Sequence, residues 1–182
     1  MLPGMETVIF ETALGSFGLG WTEAGLARVQ LPDDDRSALA ERINRNGAHP
    51  GEPPLWVENL INRIEDYADG QKDDFSDIPL DFSAIPEFHA KAYRLLLGYG
   101  WGRVTSYGEL ARALGDVSLS RAVGQAMGAN PLPLVIPCHR VLASNGKPGG
   151  FSAPGGAHAK VRMLALEGVV VGSPAGQMSF GF

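Results

Sequence analysis

The chain has a single cysteine, Cys138, in the stretch NPLPLVIPCHRV, with His139 and Arg140 directly after it. A free thiol titrates near pH 8.5, so only a few per cent is thiolate at neutral pH, and the thiolate is the nucleophile. A neighbouring base, acting directly or through one water, makes it available. His139 is adjacent in sequence and Arg140 adds positive charge. The apolar run Leu132–Ile136 predicts a buried strand ending at the thiol. Adjacent side chains on a strand point to opposite faces, so a direct Cys–His contact needs a turn or a bridging water. Glu167, in LALEG, is the best-placed carboxylate of the C-terminal half to orient the histidine. The competing reading of Cys138 is a small buried hydrophobe, as most lone cysteines are.

The elements that must position these groups fall into two halves of opposite charge. Residues 1–85 carry 6 Lys/Arg against 16 Asp/Glu, and residues 86–182 carry 9 against 4. A break this sharp predicts two units, one over 1–85 and a basic one over 86–182 that faces a polyanion. The bland alternative is a chance imbalance between two solvated surfaces.

In the first half, TVIFETALGSFGLGWTEAGLARVQL predicts a three-strand meander punctuated by Gly15, Gly20 and Gly25. Asp33 is the expected cap of a first helix closed by Gly47. LWVENLINRIEDYADG predicts a second helix, with an approximate stripe through Leu55, Trp56, Asn59-Leu60, Arg63-Ile64 and Tyr67, and DIPLDFSAIP one more strand. His49 reads as a solvated loop residue.

The second half predicts a helix from EFHAKAYRLLLG, then two short helices, YGELARAL and SLSRAVGQAMGAN, joined by GDVS. Ser106 and Glu109 form a capping box at the first of the pair, and the pair has a helix-turn-helix pattern. A last helix, HAKVRMLALEG, is expected to bury Val161, Leu164 and Ala165.

No apolar run approaches the roughly 18–20 residues that span a bilayer, and MLPGMETVIF lacks the features of a signal peptide. One cysteine can form neither an internal disulfide nor a multi-thiolate zinc site. The expected setting is reducing and cytoplasmic, with no membrane association and no metal. SNGKPGGFSAPGGAH is glycine-rich but follows no phosphate-loop template.

PCHRV, preceded by RAVGQAMGANPLPLVI and followed by GKPGGFS and LALEG, resembles the signature of the O6-alkylguanine-DNA alkyltransferases, or methylated-DNA–protein-cysteine methyltransferases. The resemblance runs from about Phe88 to Gly168 and includes TSYGELA. It implies an α+β fold: an RNase-H-like α/β domain followed by a helical domain with a winged helix-turn-helix. It implies repair of O6-alkylguanine, chiefly O6-methylguanine and also O4-methylthymine, in double-stranded DNA by a monomer that needs no cofactor.

In that family the alkyl group passes irreversibly to the protein's own cysteine after the base is flipped out. The resemblance makes Cys138 the acceptor, His139 its base through a water, and Glu167 the group that holds the histidine. Tyr107 becomes the proton donor to N3 of the departing guanine, and Asn130 a hinge between the second helix and the cysteine segment. Arg121 would fill the space vacated in the stack. The small residues Ala122, Gly124, Ala126 and Gly128 would permit close approach to the minor groove. Main-chain groups of Cys138 and Val141 would recognise the guanine edge, with Phe151 and Ser152 closing over it.

The chain departs from the family pattern in places. Phe151 stands where many members have tyrosine, and SAPGGAHAK makes the lid slightly longer than in the shorter members. The cysteines of the zinc site found in some relatives are lacking. No N-terminal extension carries a second acceptor thiol, which argues against a methylation-sensing transcriptional role. Relatives that bind alkylated DNA without repairing it replace the cysteine, which this chain keeps. Two other readings stand behind the repair protein: a non-catalytic module that senses alkylated bases, and last, a cysteine hydrolase.

Overall fold

The computed structural model describes residues 4–33, 35–149 and 156–171. The expected meander forms as strands β1 (Glu6–Thr12), β2 (Gly15–Thr22) and β3 (Gly25–Gln30), antiparallel in turn. Its apolar positions Phe17, Leu19, Leu26, Val29 and Leu31 are buried. Two elements differ from expectation. The fourth strand is β4 (His49–Pro50), exposed and parallel to β1 within the sheet order β3-β2-β1-β4. DIPLDFSAIP forms no strand, only an isolated bridge between Leu26 and Leu80. Its prolines remove the donors a ladder needs, and it is held instead by Leu26 N–H on the Pro79 carbonyl at 2.8 Å. Gly25 makes this approach possible: at φ 139° it lacks the Cβ that would stand 2.5 Å from that carbonyl oxygen.

Helix α1 (Arg36–Ile43) is capped by Asp35, whose carboxylate accepts from Ser37 and Ala38 N–H. Asp33, the expected cap, pairs with Arg42 instead. Helix α2 (Leu55–Ala68) buries Val57, Leu60, Ile64 and Tyr67 in the core, while Leu55 is exposed.

The C-terminal half opens with α3 (Glu87–Leu96), which buries Ala90, Ala92, Tyr93 and Leu96. The capping box at α4 (Tyr107–Ala113) is present in both directions between Ser106 and Glu109. Asp116 caps a 3-10 turn at Val117–Leu119, which leads into α5 (Ser120–Gly128). Short parallel strands β5 (Thr105–Ser106) and β6 (Val141–Leu142) tie the start of α4 to the segment after the cysteine.

Helix α6 (Gly156–Leu166) buries Leu164 as expected, but its inward face is rotated from the one expected. Ala165 is exposed and Val161 half-buried, whereas Lys160 and Met163 are buried. One apolar cluster runs through both halves, from Phe17 and Tyr67 to Val123, Cys138 and Met163. The fold is a mixed α+β one. Among the described residues no helix is long and apolar enough to cross a membrane.

Candidate active site

The cysteine does not end a strand. Residues 130–137 form a buried, turning segment with a single bridge between Pro133 and Ile136 and with Leu134 at φ 78°. Pro131, Pro133 and Pro137 have no N–H to give a ladder, which explains why an apolar, β-branched run fails to become a strand. Cys138 instead begins a 3-10 turn, Cys138–Arg140. Asn130 holds the segment together: its side chain donates to the Ile136 carbonyl and accepts from Leu132 N–H, both at 2.9 Å.

Cys138 is 3% exposed. Burial pushes its thiol up, opposed by hydrogen bonds from the Asn130 side chain and from the N–H groups of Cys138 and His139, and by the charge of Lys160. The thiol is therefore held protonated at rest, with donors already aimed at the sulfur. The cation that serves it is Lys160. Arg140, expected beside the thiol, donates through Nε and Nη2 to the two oxygens of Glu167 at 2.9 Å and through Nη1 to the Tyr99 carbonyl.

Glu167 is the hub of the buried network. Its Oε1 accepts from His139 Nε2 at 2.8 Å, Tyr67 Oη at 2.9 Å and Arg140 Nη2; its Oε2 accepts from Arg140 Nε and, at 3.3 Å, from Gly102 N–H. Gly102 sits at φ 73°, where glycine is favoured. Burial would raise the Glu167 carboxyl, but the hydrogen bonds from His139 and Arg140 and the charge of Arg140 hold it down at about 2. The carboxylate can only accept, so the His139 proton must lie on Nε2 and the lone pair on Nδ1. Burial also pushes the imidazole down, which keeps it neutral. Nδ1 has no hydrogen-bond partner among the described residues. A neutral imidazole of fixed tautomer with its basic nitrogen unengaged is a ready general base.

Tyr107, the first residue of α4, is half-buried, and its phenol is pushed up by burial and, once the thiolate forms, by the charge of Cys138, so it stays a donor. Lys160 Nζ lies 5.9 Å from its ring centroid and donates to the Val141 carbonyl at 2.5 Å. Burial lowers the Lys160 ammonium to about 8. Thus Cys138, Asn130, Lys160 and Tyr107 form one group, and His139, Glu167, Arg140 and Tyr67 form a second that meets it at the cysteine turn.

The remaining predicted residues lie apart from this centre or beyond description. Arg121 is exposed near the start of α5, with Ala122 and Gly124 half-buried on the same helix. A Cβ on Gly124 would meet nothing within 4 Å. Ala126, expected on the open face, is fully buried, and its carbonyl accepts from Tyr93 Oη at 2.6 Å. Phe151 and Ser152 lie outside the described residues.

Sequence reasoning missed two members of the site. Lys160 sits in a helix that reads as amphipathic, where a lysine is ordinarily solvated. Tyr67 belongs to the core stripe of α2, and nothing local signals a partner 100 positions away. Tyr67→Phe keeps the ring, which stacks edge-on to Trp101, and removes one hydrogen bond to a buried charge. It is expected to lower stability by about 1.5–3 kcal/mol. Denaturant midpoints at constant slope measure this.

The buried thiol, the carboxylate-oriented imidazole and the helix pair α4–α5 thus lie in one half of the chain, the half that comparison with known proteins also picks out. The sequence model described as 6-O-methylguanine DNA methyltransferase, DNA binding domain, matches residues 87–169. A methylated-DNA–protein-cysteine methyltransferase of Metallosphaera sedula is 38% identical over 116 residues, covering 64% of this chain and 70% of the relative. The human protein of the same name is 32% identical, covering 93% of this chain and 84% of its own. Among solved structures, Mycobacterium tuberculosis OGT in complex with DNA superposes with a TM-score of 0.73 at 26% identity, covering 89% of this chain and 92% of that one. The chain belongs to the methylated-DNA–protein-cysteine methyltransferase family.

Proposed function

We propose that this protein repairs O6-alkylguanine, chiefly O6-methylguanine and also O4-methylthymine, in double-stranded DNA by moving the alkyl group to Cys138. The observation that carries the proposal is the Cys138–His139–Glu167 turn: an enclosed thiol, a neutral base of fixed tautomer and a carboxylate that fixes it. His139 Nδ1 accepts the thiol proton through a water. The sulfur then displaces guanine O6 in line at the alkyl carbon, forming S–C as C–O breaks. Tyr107 protonates N3 of the departing guanine, which is otherwise a poor leaving group. Lys160 supplies the positive charge that favours thiolate, and Asn130 acts as the hinge that carries the sulfur. The thioether is not hydrolysed by water, so each molecule acts once.

A base inside a duplex cannot reach an enclosed thiol and must be flipped out. Arg121, exposed on α5, fills the vacated stack, while Ala122 and Gly124 let the helix approach the minor groove. The edge of the flipped guanine meets main-chain groups of Cys138 and Val141, and Phe151 and Ser152 close over it. Residues 1–85 form the RNase-H-like α/β domain and residues 86–182 the winged helix-turn-helix domain. The protein works as a cytoplasmic monomer without cofactor.

Titrating a fixed amount of protein with methylated duplex tests this proposal. Repair should plateau at one lesion per molecule, whereas continued turnover would point to a hydrolase. In the same assay Arg121→Ala should slow repair of duplex by about 10-fold or more and spare transfer from the free modified base. A phosphate contact would instead weaken binding to all DNA and lower the salt slope by about one.

A further inference from the structure

The N-terminal half is strongly acidic, yet its arginines are not all neutralised. Arg36 pairs with Glu11, Arg42 with Asp33, and Arg63 with Asp73 and Asp77. Arg28 and Arg45 have no carboxylate partner among the described residues. These two and Arg42 line one cavity of about 360 Å³, which also reaches Cys138. Its exposed rim includes Arg45 and Asn46 on one side and Ala129, just past α5, on the other.

We propose that this rim is a second DNA contact, in which Arg42 and Arg45 hold a backbone phosphate where the strand passes the C-terminal end of α5. The proposal rests on the reading of α5 as the helix that meets the duplex. Three features support it. Arg28 Nη1 donates to the carbonyls of Ile43 at 2.7 Å, Arg45 at 3.3 Å and Arg42 at 3.5 Å, so it pins the backbone from which Arg42 and Arg45 project. Arg42 keeps one shielded donor, Nε, without a partner among the described residues, although its Nη2 is on Asp33. Burial lowers the Arg28 pKa and the charge of Arg45 lowers it further, as expected where like charges approach with no acid between them.

Position selects the ligand. A helix as short as α5 spans about 14 Å at 1.5 Å per residue, more than the roughly 6 Å width of the minor groove. Laid against the groove, it must end over the phosphates of a strand. The C-terminal end of a helix bears partial negative charge and repels phosphate. Cations brought alongside from a neighbouring element remove that repulsion, and the last turn of α1 and its connection to β4 supply them.

The test is the salt dependence of binding to unmodified duplex, with methyl transfer from methylated duplex and from the free modified base followed alongside. Arg45→Gln, which disturbs no ion pair among the described residues, should lower the slope of log K against log[salt] by about one, and Arg42→Gln/Arg45→Gln by about two. Transfer from the free base should stay at the wild-type rate. An unchanged slope in both variants overturns the proposal. So does an unchanged slope with inorganic phosphate protecting wild type but not the double variant from unfolding, which would mark a site for free anions. If wild type itself transfers no methyl from duplex, the repair reading fails; normal transfer with an unchanged slope removes this contact alone.

Discussion

Glu167→Gln is expected to lower the rate of methyl transfer by about 10²–10⁴-fold, the range over which loss of an oriented general base is felt. An amide has one acceptor oxygen where the carboxylate offers two, and its NH₂ would face donors. Glu167 now receives His139 Nε2, Tyr67 Oη, Gly102 N–H and two bonds from Arg140. With the charge gone, nothing dictates that His139 carries its proton on Nε2, and the basic lone pair is no longer reserved for the thiol side.

The same change should cost about 3–5 kcal/mol of stability, because Arg140 is left buried without its bidentate partner. A small domain holds only about 5–15 kcal/mol, so transfer is best measured at low temperature in variant and wild type alike. The pH dependence gives an independent check. The Glu167 carboxyl sits at about 2 in the folded protein, below its ordinary value near 4.3. Its contribution is therefore present above that ordinary value and lost as pH falls toward 2. Urea midpoints should fall less steeply with acid in Glu167→Gln than in wild type. An equal fall would mean that Glu167 is not the carboxylate being titrated.

The second large effect belongs to Lys160→Met, which keeps the stem of the side chain and removes its charge. Burial already pushes the Cys138 thiol up, and Lys160 is the cation that opposes it. Without it the thiol should move further up, and transfer at neutral pH should fall by about 10-fold or more, since each pKa unit is a factor of ten in thiolate. The deficit should shrink as pH rises. In wild type Lys160 itself titrates at about 8, so its assistance fades above that value as it loses charge. The rate profiles of wild type and variant should thus converge toward high pH. Parallel profiles would assign Lys160 a purely structural role through its bond to the Val141 carbonyl.

What was legible in the sequence was whatever is encoded over short distances. The capping box at Ser106, the meander turning at Gly15 and Gly25, and the Cys138-His139 pair each declare themselves within a few residues. The contents of the site that come from afar did not. Lys160 and Glu167 lie seven residues apart on one face of α6 and its extension, so a helix that looks like a modest amphipath delivers opposite charges to two ends of the cysteine turn. Residues 132–136 misled for a physical reason: their side chains have strand character, but proline at 131, 133 and 137 denies the backbone its ladder. The buried turn that results brings Asn130 and two N–H groups onto the sulfur, which a strand could not.

The intact mass of the protein after incubation with duplex DNA containing O6-methylguanine tests the central claim most directly. A gain of one methyl group, located on the peptide carrying Cys138 and lost in Cys138→Ala, is the result expected. An unchanged mass, with tight and damage-selective binding retained, would contradict transfer and leave a protein that senses the lesion without repairing it.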